Sequence, residues 1–164
     1  MIKIVDQALP ALPVDAVVRA ADEHLRPVGM VSETIDRLAG DRFNAQRQLQ
    51  AALEIGAAVI TGGGDLAAEF VLHVVIQSDN RAVSRDTVRR ALTSAWHRAE
   101  GWQLTTVAAA LSGFGLSPDQ AALALVETFR DRPESTGYPA ELHIVVESPE
   151  QRASVEPFIQ NGSL

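Results

Sequence analysis

Two glycine-containing loops, each directly ahead of a predicted helix, have the residue types with which a protein could bind an anion. The first covers residues 22–31 and contains Gly29, and the second is Ser112-Gly113-Phe114-Gly115-Leu116. Glycine lets backbone N–H groups approach an anion closely, and the dipole of the following helix favours negative charge there. Phe114, between two glycines, is expected to be an exposed aromatic that could stack on a sugar or a base. The alternative is a tight structural turn, since glycine ahead of a helix is common.

Other site chemistries have weaker support in the sequence. The chain has no cysteine, which excludes a disulfide, a thiolate nucleophile and a thiolate metal site. Asp22, Glu23 and His24 are adjacent, and adjacent loop side chains rarely converge on one ion, so no metal site is predicted. His73 and His143 each lie within an apolar stretch and are interpreted as hydrogen-bonded core histidines. We predict no catalytic residue and no cofactor.

The composition of the chain argues against two classes of protein, those that bind nucleic acid without sequence preference and those that span a membrane. The 164 residues have a formal net charge of −7, which argues against the basic surface that sequence-independent nucleic-acid binding needs. The longest apolar stretch, residues 70–76, is far shorter than the roughly 18 residues that a membrane span requires. We therefore expect one cytoplasmic domain over residues 1–160, with no membrane or nucleic-acid partner, and a frayed tail at residues 161–164.

Apolar and β-branched stretches alternate with helical ones along the chain. The predicted strands are residues 2–5, 14–21, 57–61, 70–77, 104–111 and 141–147. The predicted helices are residues 31–38, residues 43–54 with Gly56 as the C-terminal cap, residues 84–100, and two more that start at Ser117 and Ser148. Strands separated by helices predict helices on both faces of a largely parallel sheet. Residues 57–61 and 70–77 have no helix between them, so that pair is the candidate for an antiparallel, mixed part of the sheet.

Helix starts give the sharpest local signals. Ser84 is a favourable N-cap for a helix whose apolar residues recur at positions three and four apart. Ser117-Pro118-Asp119-Gln120 combines a serine cap with proline at the first helical position. Because ligands bind beyond the carboxyl ends of parallel strands, the loops after residues 21 and 111 are the predicted site.

The order of these motifs resembles the macro domain family. The residues that carry the resemblance are Val14-Asp15-Ala16-Val17-Val18-Arg19-Ala20-Ala21-Asp22, Gly29-Met30-Val31, Ala39-Gly40, residues 56–61 and 70–74, and Ser112-Gly113-Phe114-Gly115-Leu116. The resemblance covers roughly residues 2–147. It implies a three-layer α/β/α sandwich with a mixed, largely parallel sheet and a cleft for ADP-ribose or a related nucleotide.

The same resemblance implies roles for individual residues. Asp22 would accept hydrogen bonds from ribose hydroxyls, and Gly29 with Val31 would supply backbone donors. The second loop would contact phosphate and ribose through Ser112, Gly113, Phe114 and Gly115.

The sequence departs from the family pattern at several of these positions. The aspartate that the family uses for adenine falls on Ala8, and an asparagine for ribose falls on Asp22, whose charge would repel a diphosphate. Arg19 and Arg26 are the cations that could offset that charge. The acidic residue used by some hydrolase members falls on Ser32.

These departures lead to one function prediction and two alternatives. The prediction is a diverged cleft that binds ADP-ribose or a related phosphorylated ligand without catalysis. The first alternative is a protein-interaction or structural domain, such as a homodimer, in which Arg26 or Met30 fills the cleft. An ADP-ribosyl hydrolase has the least support, because the family's acidic position is occupied by Ser32.

Overall fold

The computed structural model describes residues 1–48, 51–132 and 137–160, and within them a six-stranded sheet with helices on both faces. The strands are β1 Ile2–Val5, β2 Ala16–Asp22, β3 Ala58–Gly62, β4 Phe70–Gln77, β5 Thr106–Ala110 and β6 Glu141–Val145. The helices are α1 Met30–Ala39, α2 Asp41–Gln46, α3 Arg85–Gly101, α4 Pro118–Arg130 and α5 Pro149–Gln160. Short 3₁₀ turns cover Leu9–Ala11 and Leu111–Phe114. No described helix is long and apolar enough to cross a bilayer.

The sheet has the order β1-β6-β5-β2-β4-β3, with β1 at an edge as its short alternating sequence predicts. All neighbouring strands pair in parallel except β3, which runs antiparallel to β4. The mixed, largely parallel sheet is therefore confirmed. The carboxyl ends of β1, β6, β5, β2 and β4 all lie at the same edge of the sheet.

Alternate residues of the strands pack into two separate cores. Val18 of β2 and Leu72 of β4 pack on the side of α3, α4 and α5. Val17 and Val71 pack on the opposite side, against α1, α2 and the Leu9–Ala11 turn. The fold is thus a three-layer α/β/α sandwich, as predicted.

Both sharp helix starts are confirmed. Ser84 Oγ accepts from Thr87 N–H at 3.2 Å, and Thr87 Oγ1 accepts from Ser84 N–H at 3.0 Å, so the two residues form a reciprocal capping box ahead of α3. Ser117 Oγ accepts from Gln120 N–H at 3.3 Å at the start of α4. Trp96 lies in the core, where its indole N–H donates to Thr128 Oγ1 at 2.9 Å.

The predicted helix over residues 43–54 is wrong beyond Gln46, and Gly56 is not its cap. Arg47 leaves the helical conformation, and its guanidinium donates to the Leu25 carbonyl at 3.2 Å. Leu53 N–H then bonds to the Glu23 carbonyl at 2.8 Å, outside any helix. Tertiary contacts to the loop after β2 therefore replace the helix that local periodicity favours; residues 49–50 lie outside the described residues, as does the predicted tail at residues 161–164.

Candidate functional site

A cleft of about 640 Å³ opens beyond the carboxyl ends of β1, β6 and β5. Its walls are residues 6–10 after β1, residues 145–147 at the end of β6, Ala110 and Ser112 after β5, and Met30, Val31 and Thr34 of α1. Val31 and Ser112, both predicted binding residues, therefore line one cleft. The cleft wall also contains four residues that no sequence motif predicts: Asp6, Gln7, Thr34 and Glu147. The available signal was that Asp6 and Gln7 directly follow β1 and that Glu147 follows β6.

The remaining predicted residues do not line this cleft. Gly29, at φ +88° and exposed, precedes α1 as its N-cap, and no side chain caps that helix. A Cβ atom at Gly113 would lie 3.7 Å from Val31 Cγ1, so the two predicted loops meet there. Gly115 adopts the left-handed conformation, φ +68°, at the end of the 3₁₀ turn.

Phe114 corrects the sequence analysis. Its side chain is only 2% exposed and packs in the core on the α3–α5 face of the sheet. The predicted exposed ring is therefore wrong. The Leu111–Phe114 turn directs the ring inward, because burying a phenyl group stabilises the fold more than a solvent-exposed position would.

Asp22 organises the loop that follows β2. Its Oδ1 accepts from the backbone N–H groups of His24 and Arg26, each at 2.9 Å, and its Oδ2 accepts from Arg26 Nε at 2.6 Å. Burial alone would raise the pKa of this carboxyl, but these hydrogen bonds outweigh burial and hold the pKa below its usual value. Counting lone pairs, Oδ2 can accept one further hydrogen bond, which leaves the predicted ribose contact open.

Arg26 pairs directly with Asp22 at 2.6 Å, whereas Arg19 acts on Asp22 only through a weaker electrostatic attraction. Arg26 also approaches Asp79, with Nη2 and Oδ1 3.5 Å apart, and thereby ties the loop to the turn after β4. Glu23, His24 and Asp79 have potential ligand atoms within 4.8 Å of one another. His24 and Asp79 are exposed, and the adjacent arginine already compensates Asp79, so nothing in this cluster calls for an ion.

Arg19 is completely buried and belongs to a separate polar network on the α1 side of the sheet. Its Nε and Nη2 donate to the two carboxylate oxygens of Asp36 at 2.6 and 2.7 Å, and Arg47 Nη2 lies 3.4 Å from Asp36 Oδ2. Burial lowers the pKa of the Arg19 guanidinium, while the hydrogen bonds that Arg19 donates to Asp36 oppose that shift. The network links β2 to α1 and to the residue that ends α2.

His73 completes the network and confirms the interpretation of a hydrogen-bonded core histidine. Its Nδ1 lies 3.0 Å from Arg19 Nη1, which can only donate, so Nδ1 is the acceptor and the proton is on Nε2. That Nε2–H donates to Thr61 Oγ1 at 2.8 Å. Burial first, and then the charges of Arg19 and Arg47, hold the pKa of His73 well below 6.5, so the ring is neutral. His143 is partly buried and bonds Glu141 at 2.9 Å.

Ser32 occupies the position where the family resemblance places a hydrolase acid. Its side chain is fully buried, and its Oγ donates to the Ala20 carbonyl at 2.7 Å. The hydroxyl therefore ties α1 to β2 and does not line the cleft.

Comparisons with known proteins point to one family. The family model described as Macro domain matches residues 18–124. O-acetyl-ADP-ribose deacetylase 1 of Pantoea vagans is 31% identical over 112 residues, which are 65% of this chain and 66% of that protein. An uncharacterized protein of Mycobacterium tuberculosis is 27% identical over 128 residues, or 76% of this chain. The match spans only 36% of the mycobacterial protein, about a third of its length.

Solved structures share the fold. The Oceanobacillus iheyensis macrodomain with ADP superposes with a TM-score of 0.80 at 18% identity, covering 96% of this chain and 89% of that one. The Trypanosoma brucei macrodomain in complex with ADP-ribose gives 0.82 at 21% identity, covering 96% and 68%. The family model, the fold and the order of the motifs agree, and this chain belongs to the macro domain family.

Proposed function

We propose that this macro domain binds ADP-ribose or a related nucleotide in its cleft and does not hydrolyse it. The observation that supports this most is the open cleft of about 640 Å³ beyond the carboxyl ends of the parallel strands, with the uncapped start of α1 in its wall. Relatives with this fold were solved with ADP and with ADP-ribose.

The start of α1 is the part of the cleft suited to a phosphate. The first N–H groups of a helix have no intrahelical acceptor, and the positive end of the helix dipole lies beside them. Met30 and Val31 form this first turn and line the cleft, and no side chain caps it. Ser112, exposed on the opposite loop, adds a hydroxyl that can donate or accept.

The geometry gives no support to the alternative of a filled cleft. The Arg26 guanidinium pairs with Asp22 and Asp79, and it is not among the described residues of the cleft wall. Met30 lines the cleft with 79% of its surface exposed, so it stands at the opening and does not plug it. Both residues leave the cleft accessible to a ligand.

Absence of hydrolysis is proposed from the hydrogen bonding of Ser32. A hydrolytic group must reach the bond it cleaves, directly or through one water molecule. Ser32 Oγ is buried and donates to the backbone of β2. The Asp22 carboxylate, whose pKa lies below its usual value, already accepts three hydrogen bonds from the loop after β2 and does not line the cleft.

Calorimetric titration with ADP-ribose tests the binding. We expect saturable binding that Ala8→Trp weakens by roughly tenfold or more, because the exposed Ala8 methyl lines the cleft and an indole would occupy it. The matched control is Arg37→Trp, on the exposed face of α1 outside the cleft wall. Absence of both binding heat and a shift in the melting temperature at high ADP-ribose concentration would contradict the proposal.

Incubation with O-acetyl-ADP-ribose tests the absence of catalysis separately. We expect acetate release at the rate of the uncatalysed reaction while the product still binds. Turnover above that rate would show that a group other than Ser32 performs hydrolysis, and this part of the proposal would be wrong.

A further inference from the structure

Met30 is an apolar side chain exposed at the opening of the cleft. It is the first residue of α1 and lines the cleft, with 79% of its surface exposed. Glu33 N–H bonds to the Gly29 carbonyl at 3.2 Å, so the N–H groups of residues 30–32 lie ahead of that helical bond. The thioether is therefore part of the same turn as the backbone donors that the proposed function assigns to a phosphate.

The contacts that hold α1 in place do not involve Met30. Ser32 Oγ donates to the Ala20 carbonyl at 2.7 Å, and Asp36 accepts from the buried Arg19. A change confined to the Met30 side chain leaves these contacts intact, and a change on an exposed surface has little effect on stability. A modification of Met30 is therefore expected to alter the cleft without unfolding the helix.

The chemistry open to an exposed thioether is oxidation by a two-electron oxidant such as hydrogen peroxide. One oxygen atom of the peroxide is transferred to Sδ; the O–O bond breaks, an S–O bond forms, and the other oxygen leaves as water. The sulfur loses two electrons and the peroxide gains them. The resulting sulfoxide is polar, and its oxygen accepts hydrogen bonds, whereas the thioether is only a weak acceptor.

The composition of the chain confines this chemistry to few atoms. The chain has no cysteine, whose thiolate would also react with peroxide, and it has two methionines. Met1 is 71% exposed and lies at the opposite edge of the sheet from the cleft, where its ammonium donates to the Ala140 carbonyl at 2.8 Å. Met30 therefore brings the one sulfur atom to the cleft, and Met1 is a control of nearly equal exposure in the same molecule.

We propose that Met30 is a redox modification site, at which peroxide converts the thioether to a sulfoxide and thereby weakens nucleotide binding. The sulfoxide oxygen competes with a phosphate for the N–H groups of the first turn of α1, and the negative end of the S–O dipole repels the phosphate. This inference rests on the proposed function and deepens it, since it names a regulation of the same site.

Titration with ADP-ribose before and after mild peroxide treatment tests the proposal, and mass spectrometry of peptides locates the added oxygen. We expect one added oxygen on Met30 and one on Met1, with the affinity lowered by about threefold to tenfold, the range of one hydrogen bond. Methionine sulfoxide reductases for both sulfoxide epimers should restore the affinity. Unchanged affinity with Met30 fully oxidised would overturn the proposal.

Two variants make the result specific to the sulfur of Met30. Met30→Leu keeps an apolar side chain of similar volume, so it should bind as the natural protein does and keep its affinity after peroxide, although Met1 is still oxidised. Met30→Gln introduces an amide oxygen as an acceptor, so it should bind more weakly before treatment and not respond to peroxide. Loss of affinity in peroxide-treated Met30→Leu would show that another group, such as the exposed Trp102, causes the effect, and the proposal would be wrong.

The outcomes separate this inference from the proposed function. Thermal melts should be the same before and after oxidation, and a loss of affinity that accompanies unfolding would overturn the role of Met30. Binding that peroxide leaves unchanged would also overturn that role while leaving nucleotide binding intact. Absence of ADP-ribose binding by the untreated protein would overturn the proposed function, and the role of Met30 with it.

Discussion

Replacement of Arg19 by methionine is expected to lower the free energy of unfolding by about 3–5 kcal/mol, the usual loss when one partner of a buried ion pair is removed. Arg19 is completely buried, and it donates to both oxygens of Asp36 at 2.6 and 2.7 Å. The variant would leave Asp36 with Arg47 alone, at 3.4 Å, and would leave His73 Nδ1 without its donor. The expected loss therefore comes mainly from an undercompensated buried carboxylate.

Removing both partners is expected to be less damaging than removing Arg19 alone. In Arg19→Met combined with Asp36→Leu, no carboxylate is left in the network, and apolar side chains of similar volume often replace a buried pair at little net loss. Arg47, whose side chain is 20% exposed, keeps the Leu25 carbonyl as its acceptor and can reach solvent.

Urea denaturation at neutral pH measures these differences, with thermal melts as a second measure. In a protein of this size each kcal/mol shifts the Tm by about 2–4 °C, so Arg19→Met should lower it by about 6–20 °C. Arg37→Met, an exposed arginine on the same helix α1, is the control and should stay within about 0.5 kcal/mol of the natural protein. A loss below about 1 kcal/mol for Arg19→Met, or additive losses in the double variant, would refute the reasoning.

Three further predictions concern single hydrogen-bonded groups. His73 is neutral in the fold, with a pKa below its unfolded value near 6.5. The free energy of unfolding should therefore be constant above that pH and fall below it, by up to about 1.4 kcal/mol per pH unit. In urea denaturation, His73→Asn should flatten that slope between about pH 7 and 5.5. Asp22 has a pKa below its usual 3.8, so Asp22→Asn should destabilise the protein at neutral pH, and the difference from the natural protein should vanish as the pH falls through the folded pKa. Faster proteolysis of the loop after β2 would report this destabilisation. The loss of stability should be smaller than for Arg19→Met, because Arg26 is exposed to solvent. Ser84→Ala should cost about 1 kcal/mol and speed hydrogen exchange in the first turn of α3.

Short-range rules explain why much of the fold could be predicted. The serine caps of α3 and α4 act through side chain and backbone atoms three residues apart, and the structure has both. The strands follow from apolar stretches, and the antiparallel pair of β3 and β4 follows from the absence of an intervening helix. These features depend on residues that are close in the chain.

The errors arise where distant residues decide the structure. Arg47 ends α2 because its guanidinium reaches Leu25, which is 22 residues away. The glycines on both sides of Phe114 favour an exposed ring, but the core on the α3–α5 face accommodates that ring. The sequence places two polar residues, Arg19 and His73, in buried strands. It does not indicate that they contact each other, because they are 54 residues apart in the chain.

Three buried polar side chains of β2 and α1 form contacts within the scaffold. Arg19 holds α1 through Asp36, Ser32 ties α1 to β2, and Asp22 fixes the loop between β2 and α1. The Arg19 and Ser32 contacts act directly on α1, whose first turn lines the cleft, and the Asp22 contacts fix the loop that leads to it. Under the proposed function, rigid placement of that turn would lower the entropy lost on binding, because its backbone donors would need little ordering before they bond to a phosphate.

Discrimination between ligands must then come from groups that the scaffold does not use. The backbone N–H groups at the start of α1 can donate to any phosphate, so they cannot distinguish one nucleotide from another. Among the described residues of the cleft wall, the acidic side chains are Asp6 and Glu147, and neither forms an ion pair or a side-chain hydrogen bond with another described residue. Under the proposed function, we therefore expect substitutions in the Arg19–Asp36 network to weaken the binding of all nucleotides alike, because they disturb the position of α1 and with it the donors of its first turn.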